Sequence, residues 1–209
     1  LFLVSLMKMP LPFDRYRCSY PYVLLLGVFL ISRFVFFCAG VRPFMHTSGL
    51  WQFLDHDLLR TELALSLLYQ HSQPPLWNLA LGLSLKAFGD ASLLIALNVI
   101  STVVAAFSIY YLSDRITRRP FISFAASAVF VISPASILYE NWAYNSQFVA
   151  GLLVASVALA LRARLTKSIS MQLLLALALA ALTLTRPTYH LILIPIVGVI
   201  TWWPMGGRA

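Results

Sequence analysis

Apolar runs close to twenty residues long recur along this chain from Pro21 onward, and no other feature limits its fold so strongly. About 20 apolar residues in an α-helix span the roughly 30 Å of a bilayer's hydrocarbon. Six such segments are expected: Pro21–Phe37, Ala91–Leu112, Phe121–Leu138, Phe148–Leu161, Met171–Leu184 and Tyr189–Trp203. Lipid offers no hydrogen bonds to the backbone, so these segments must be helical. The expected fold is an all-α polytopic bundle, a single transmembrane domain over residues 1–209. Its parts are a first span at 21–38, a large loop with surface helices at 39–90, and five further spans within 91–203. Composition agrees, with 60% hydrophobic and 11% charged residues. Soluble domains carry about 25% charged residues, and so few charges cannot cover a globule of this length. The first run is not read as a cleaved leader, because equally apolar runs follow it.

The loop contains one short apolar piece, Leu76–Phe88, too short to cross a bilayer. Basic residues decide its placement. Lys8, Arg15, Arg17, Arg115, Arg118, Arg119, Arg162, Arg164, Lys167 and Arg208 all fall on one side only if this piece does not cross. Loops rich in Lys and Arg stay in the cytoplasm. The piece is therefore read as a re-entrant or interfacial helix, and the N-terminus as cytoplasmic. The segments 39–90, 139–147 and the turn at Arg186 then share the outer face of a plasma membrane, in a prokaryote the inner one. Trp51, Trp77, Trp142, Tyr139 and Tyr144 are expected to form an aromatic belt there.

The net charge of +8 follows from these cytoplasmic loops and does not indicate nucleic-acid binding. Cys18 and Cys38 flank the first span and fit neither a disulfide framework nor a zinc site. A start at Leu1 and an end just past an apolar run predict a piece of a longer protein.

Candidate chemistry collects in the outward segments. The first holds Asp55, His56, Asp57, Arg60 and Glu62, then His71, Gln73, Pro74, Pro75 and Asn78. The second holds Glu140, Asn141 and Asn145, and the third Arg186 and His190. Carboxylates can take a proton from a hydroxyl, and cations can hold a leaving phosphate. Each residue also has a plainer role. Asp57 can cap a helix, whereas Asp55 shows no such duty. His56 and His71 suit an interface, Pro74-Pro75 a helix boundary, Glu140 a solvated span end, and Arg186 a snorkelling cation. Arg33 lies inside the first span, where a charge faces a cavity or partner, or snorkels to the nearby end. Leucines at 54, 58, 65 and 68 predict a helix lying along the surface. Were it continuous, Asp55 and Glu62 would share the edge of its apolar stripe.

These motifs resemble the GT-C superfamily of membrane glycosyltransferases, in the branch of protein O-mannosyltransferases and lipid A glycosyltransferases. Asp55-His56-Asp57 is similar to that family's acidic motif. His71-Ser72-Gln73-Pro74-Pro75-Leu76 is similar to its His-Pro-Pro-Leu element, with two residues inserted. Ser133-Pro134 with Tyr139-Glu140-Asn141-Trp142, and Thr185-Arg186-Pro187, resemble the ends of later spans that carry polar or basic site residues. The resemblance implies inverting sugar transfer from a polyprenyl-phosphate donor to a protein, lipid or glycan acceptor. Asp55 or Asp57 would be the general base. Arg60, Glu62, His71, Gln73, Glu140, Asn141, Asn145 and Arg186 would bind substrate. The resemblance assigns no cofactor and allows a divalent metal. The alternative is a non-catalytic polytopic protein, part of a transporter or flippase or an assembly subunit. Neither Gly-x-Ser-x-Gly nor His-Glu-x-x-His is present to support an intramembrane protease.

Overall fold

The computed structural model describes residues 20–69, 73–186 and the single positions 195, 197 and 199. Among these residues the chain is all helical, in nine helices. They are α1 (Tyr20–Cys38), α2 (His56–Thr61), α3 (Leu63–Leu68), α4 (Pro75–Ala87), α5 (Ser92–Thr117), α6 (Pro120–Ile132), α7 (Pro134–Glu140), α8 (Ser146–Thr166) and α9 (Ile169–Thr185).

Three of these, α1, α5 and α8, are long and apolar enough to cross a membrane. A fourth crossing exists if α6 and α7, bent by 52° at their junction, count as one span. Six crossings are therefore not what the described residues support. The segment Phe121–Leu138 is broken because Pro134 removes a backbone donor and pushes Ser133 out of helical geometry, to φ −57° and ψ 128°. Helix α9 has 17 residues, or about 26 Å of helix, and falls short. The expected span Tyr189–Trp203 lies outside the described residues, apart from positions 195, 197 and 199.

Helix α1 shows why the chain needs an apolar solvent. Only 17% of its apolar window is buried by the rest of the protein. Val23, Leu24, Leu26, Leu30, Ile31, Phe34, Val35 and Phe37 point outward. A surface stripe this large on a water-facing helix would drive aggregation.

Helix α5 is central, flanked by α6 and α8, with α1 packed on α6 and α9 on α8. Lipid tails are as apolar as leucine, so close backbone approach and hydrogen bonds must hold such helices together. Gly151 of α8 supplies the approach. A Cβ there would lie 2.8 Å from both the Cβ and the carbonyl oxygen of Ser101. Ser127 donates to the carbonyl of Ala106, tying α6 to α5. The edges of Tyr22 and Phe107, and of Tyr22 and Tyr110, meet with ring centres 5.1 Å apart. This contact sets α1 antiparallel to α5.

The chain thus alternates between two ends. Cys38, Ser92, Glu140, Ser146 and Thr185 mark a loop end, and Thr117, Pro120, Thr166 and Ile169 a basic end. Arg115, Arg118, Arg119, Arg162, Arg164 and Lys167 all lie at or near the basic end.

Helix α4 roofs the loop end. Pro74 caps it and Pro75 opens it, where a missing N–H costs nothing. Its early Trp77 donates from Nε1 to the Ala143 carbonyl at 2.9 Å, and its late Ser84 hydroxyl accepts from the Leu93 N–H at 3.0 Å. Both ends of α4 therefore sit at the same end of the bundle. Trp77, Leu81 and Leu85 of α4 pack with Phe53, Leu59 and Leu94 into one buried core. Trp77 is fully buried, so it is a core residue and not part of an aromatic belt. Trp51 and Trp142, by contrast, are exposed.

Candidate functional site

The loop end brings together most of the residues singled out from the sequence, in roles that differ from residue to residue. Asp55 precedes α2 and caps it, with one carboxylate oxygen accepting from the N–H groups of Asp57 (2.9 Å) and Leu58 (3.2 Å). The capping role expected of Asp57 thus belongs to Asp55. Asp57 occupies the first turn of α2, where a carboxylate favours the helix dipole. It is exposed, and its carboxylate makes no hydrogen bond among the described residues.

The leucine stripe is not one continuous helix. At Glu62 the backbone leaves helical geometry, at φ −127° and ψ 47°, separating α2 from α3. Asp55 lies outside the helix and Glu62 at the break, so the two share no helical edge. Glu62 is exposed. Arg60 is exposed too and donates to the Gly89 carbonyl at 3.1 Å, tying α2 to the turn before α5.

His56 meets the Thr47 hydroxyl through Nε2 at 2.8 Å. Burial and the nearby Arg60 hold its pKa below the usual imidazole value, against the opposing pull of Asp55 and Asp57. The ring is therefore neutral at neutral pH. Asp90 accepts from the Ser92 hydroxyl and N–H, which lowers its carboxyl pKa.

The segment 139–147 is a clamped strap. Asn98, inside α5, donates to the carbonyls of Trp142 (2.8 Å) and Tyr144 (3.1 Å). The Asn141 carbonyl accepts from Phe44 at 2.7 Å, and the Asn141 amide donates back to Ile137 at 2.9 Å. Asn145 is buried and donates to the Thr185 carbonyl at 2.9 Å, joining the strap to α9. Gln147 donates to the Thr102 hydroxyl at 2.8 Å. Asn98, Asn141 and Asn145 thus hold backbone and Gln147 a hydroxyl, which explains their presence without any substrate.

Glu140 is not a solvated span end. It is 2% exposed and accepts from Nε of Arg33 at 3.0 Å and from Nη2 at 2.5 Å. Nη1 of the same guanidinium donates to the Ser32 hydroxyl (2.8 Å) and the Val131 carbonyl (2.6 Å). The guanidinium also lies 4.2 Å from the centre of the Phe29 ring. Arg33 thus has an internal partner and does not snorkel. The sequence signal of this pair is a cation inside an apolar run, which does not name its partner. The asparagines at 78 and 98, inside helical segments, carry an equally visible signal. Asn78 accepts from the Leu54 N–H and donates to the carbonyls of Gln52 and Pro74, tying α4 to the acidic segment.

Gln73 is half-buried just before α4, and Arg186 is exposed at the end of α9. His71 and His190 lie outside the described residues. Among the described residues, no three His, Cys, Asp or Glu side chains are placed to hold a metal ion.

No protein family, curated protein or solved structure matches this chain.

Proposed function

We propose that this chain is the membrane-embedded part of a glycosyltransferase. It moves a sugar from a polyprenyl-phosphate donor to a protein, lipid or glycan acceptor at the extracytoplasmic face, with Asp57 as general base. One observation carries the choice of base. Asp57 is exposed at the loop end with its carboxylate unengaged by the described residues, while Asp55 is occupied as a cap. A base must be free to take the acceptor's proton. Arg60 and Arg186 are exposed cations suited to the donor phosphate. The six-cation basic end fits a cytoplasmic orientation, with α4 as an interfacial roof on the opposite side. The membrane is the plasma membrane, in a prokaryote the inner one.

The test is turnover of a radiolabelled polyprenyl-phosphate sugar by the full-length protein in liposomes. Asp57→Asn should lower turnover by about 10²–10⁴-fold, the usual contribution of a general base. Asp55→Asn, which keeps a capping oxygen, should lower it far less. Wild-type turnover by Asp57→Asn would sink the proposal.

A second reading, a non-catalytic polytopic subunit or transporter part, draws on one observation: a charge pair sits within the bundle at Arg33 and Glu140. It predicts no donor turnover by any form of the protein.

A further inference from the structure

A cavity of about 370 Å³ opens beside the Arg33–Glu140 pair, between α1, α5, α7 and the segment after α1. Its size lies within the range of small-ligand sites. Phe34, Phe36, Phe37, Ile95, Val99 and Ile137 make its walls apolar. Phe34 and Phe37 are also exposed on the outer surface of α1, so the wall continues onto the face turned to lipid. Arg33 lies five residues from the end of α1, or about 7.5 Å along the axis, a depth just below a lipid headgroup.

The polar groups on the wall are Arg33, Glu140 and Asn141. Their charges cancel. A guanidinium has five N–H groups, and four of these are engaged, by Glu140, Ser32 and Val131. One N–H of Nη2 remains, on the nitrogen that already meets the Glu140 carboxylate, and Asn141 lines the same cavity. A single N–H next to a carboxylate is a poor seat for a phosphate, because the carboxylate repels it. A hydroxyl fits well, since it can accept from the N–H and donate to an oxygen.

We infer that the Arg33–Glu140–Asn141 cavity binds a neutral, hydroxyl-bearing glycerolipid of the diacylglycerol class, its hydroxyl on the ion pair and its chain along Phe34 and Phe37. This inference is independent of the glycosyl-transfer reading.

Diacylglycerol and phosphatidic acid carrying the same diazirine-bearing chain serve as probes, each in liposomes holding the full chain. After illumination, labelled peptides are mapped by mass spectrometry. Diacylglycerol should label the 34–43 peptide about tenfold more than phosphatidic acid does. Val41→Trp, which fills the cavity from a loop position, should remove that excess. Glu140→Gln leaves Arg33 uncompensated and should reverse the preference towards phosphatidic acid. Asp57→Asn should leave labelling unchanged, so loss of glycosyl transfer and loss of this site are separate results. Equal labelling by the two lipids, or labelling that Val41→Trp does not reduce, overturns the inference.

Discussion

Arg33 and Glu140 meet as a two-point ion pair across a sequence separation of 107 residues, at the rim of the bundle. The pair anchors α1 to the far side of the break between α6 and α7. Removing one partner strands the other as a buried charge. Glu140→Ala should therefore destabilise the protein by about 3–5 kcal/mol, whereas replacing both with apolar residues should cost much less. Unfolding in mixed micelles, followed for the two single variants and the double variant, gives the comparison. Equal losses for single and double variants would show that the pair is not the source.

Asn98 holds two carbonyls of the strap from inside α5. Asn98→Leu should leave both carbonyls unsatisfied at a cost of about 1–3 kcal/mol each at most. Amide exchange should accelerate over 139–147 and not over α1. Uniform acceleration would mean the bundle, not the strap, depends on Asn98.

His56 is held neutral by burial and by Arg60, so its folded pKa lies below the unfolded value of about 6.5. The unfolded chain then binds more protons as pH drops through that value, and stability falls with it. Acidification from pH 7.5 towards 5.5 should lower the thermal midpoint. His56→Gln should flatten this dependence. An unchanged slope in the variant would assign the effect to other groups.

The two ends of the bundle should differ in access. In a background free of Cys18 and Cys38, cysteines at Ser48 and Ser146 should react with an impermeant reagent from the outside, and one at Ser113 should not. Ser48 is exposed and Ser113 lies near the basic end. The reverse pattern would invert the orientation and remove Asp57 from the outer face.

Membrane character was legible in the sequence because twenty-residue apolar runs depend on local composition alone. The boundaries of α1, and the opening of α4 at Pro74-Pro75, were legible for the same local reason. The break within Phe121–Leu138 was marked by Pro134, yet hydropathy averages over it. The exchange of roles between Asp55 and Asp57 turned on two residues in where α2 begins, a margin that composition does not resolve. The Arg33–Glu140 pair and the Asn98 clamp are long-range contacts, and no local pattern names the partner of a polar residue in a span. The acidic segment's place at one end of the bundle followed from span counting, but which of its members stays free for chemistry did not.

The roof over the loop end has a consequence for biosynthesis. Helix α4 and the segment before it are made early and can pair with each other through Asn78, but the strap that closes over them lies far downstream. Trp77 waits for Ala143, 66 residues later, Asn98 for Tyr144, 46 residues later, and Arg33 for Glu140, 107 residues later. During synthesis the first span therefore enters the membrane with an unmatched cation, and Trp77 stays without its carbonyl partner until the strap emerges. Closing such long loops is slow compared with forming a helix. For that interval the growing chain carries a tryptophan and an arginine whose partners in the finished protein have not yet been made.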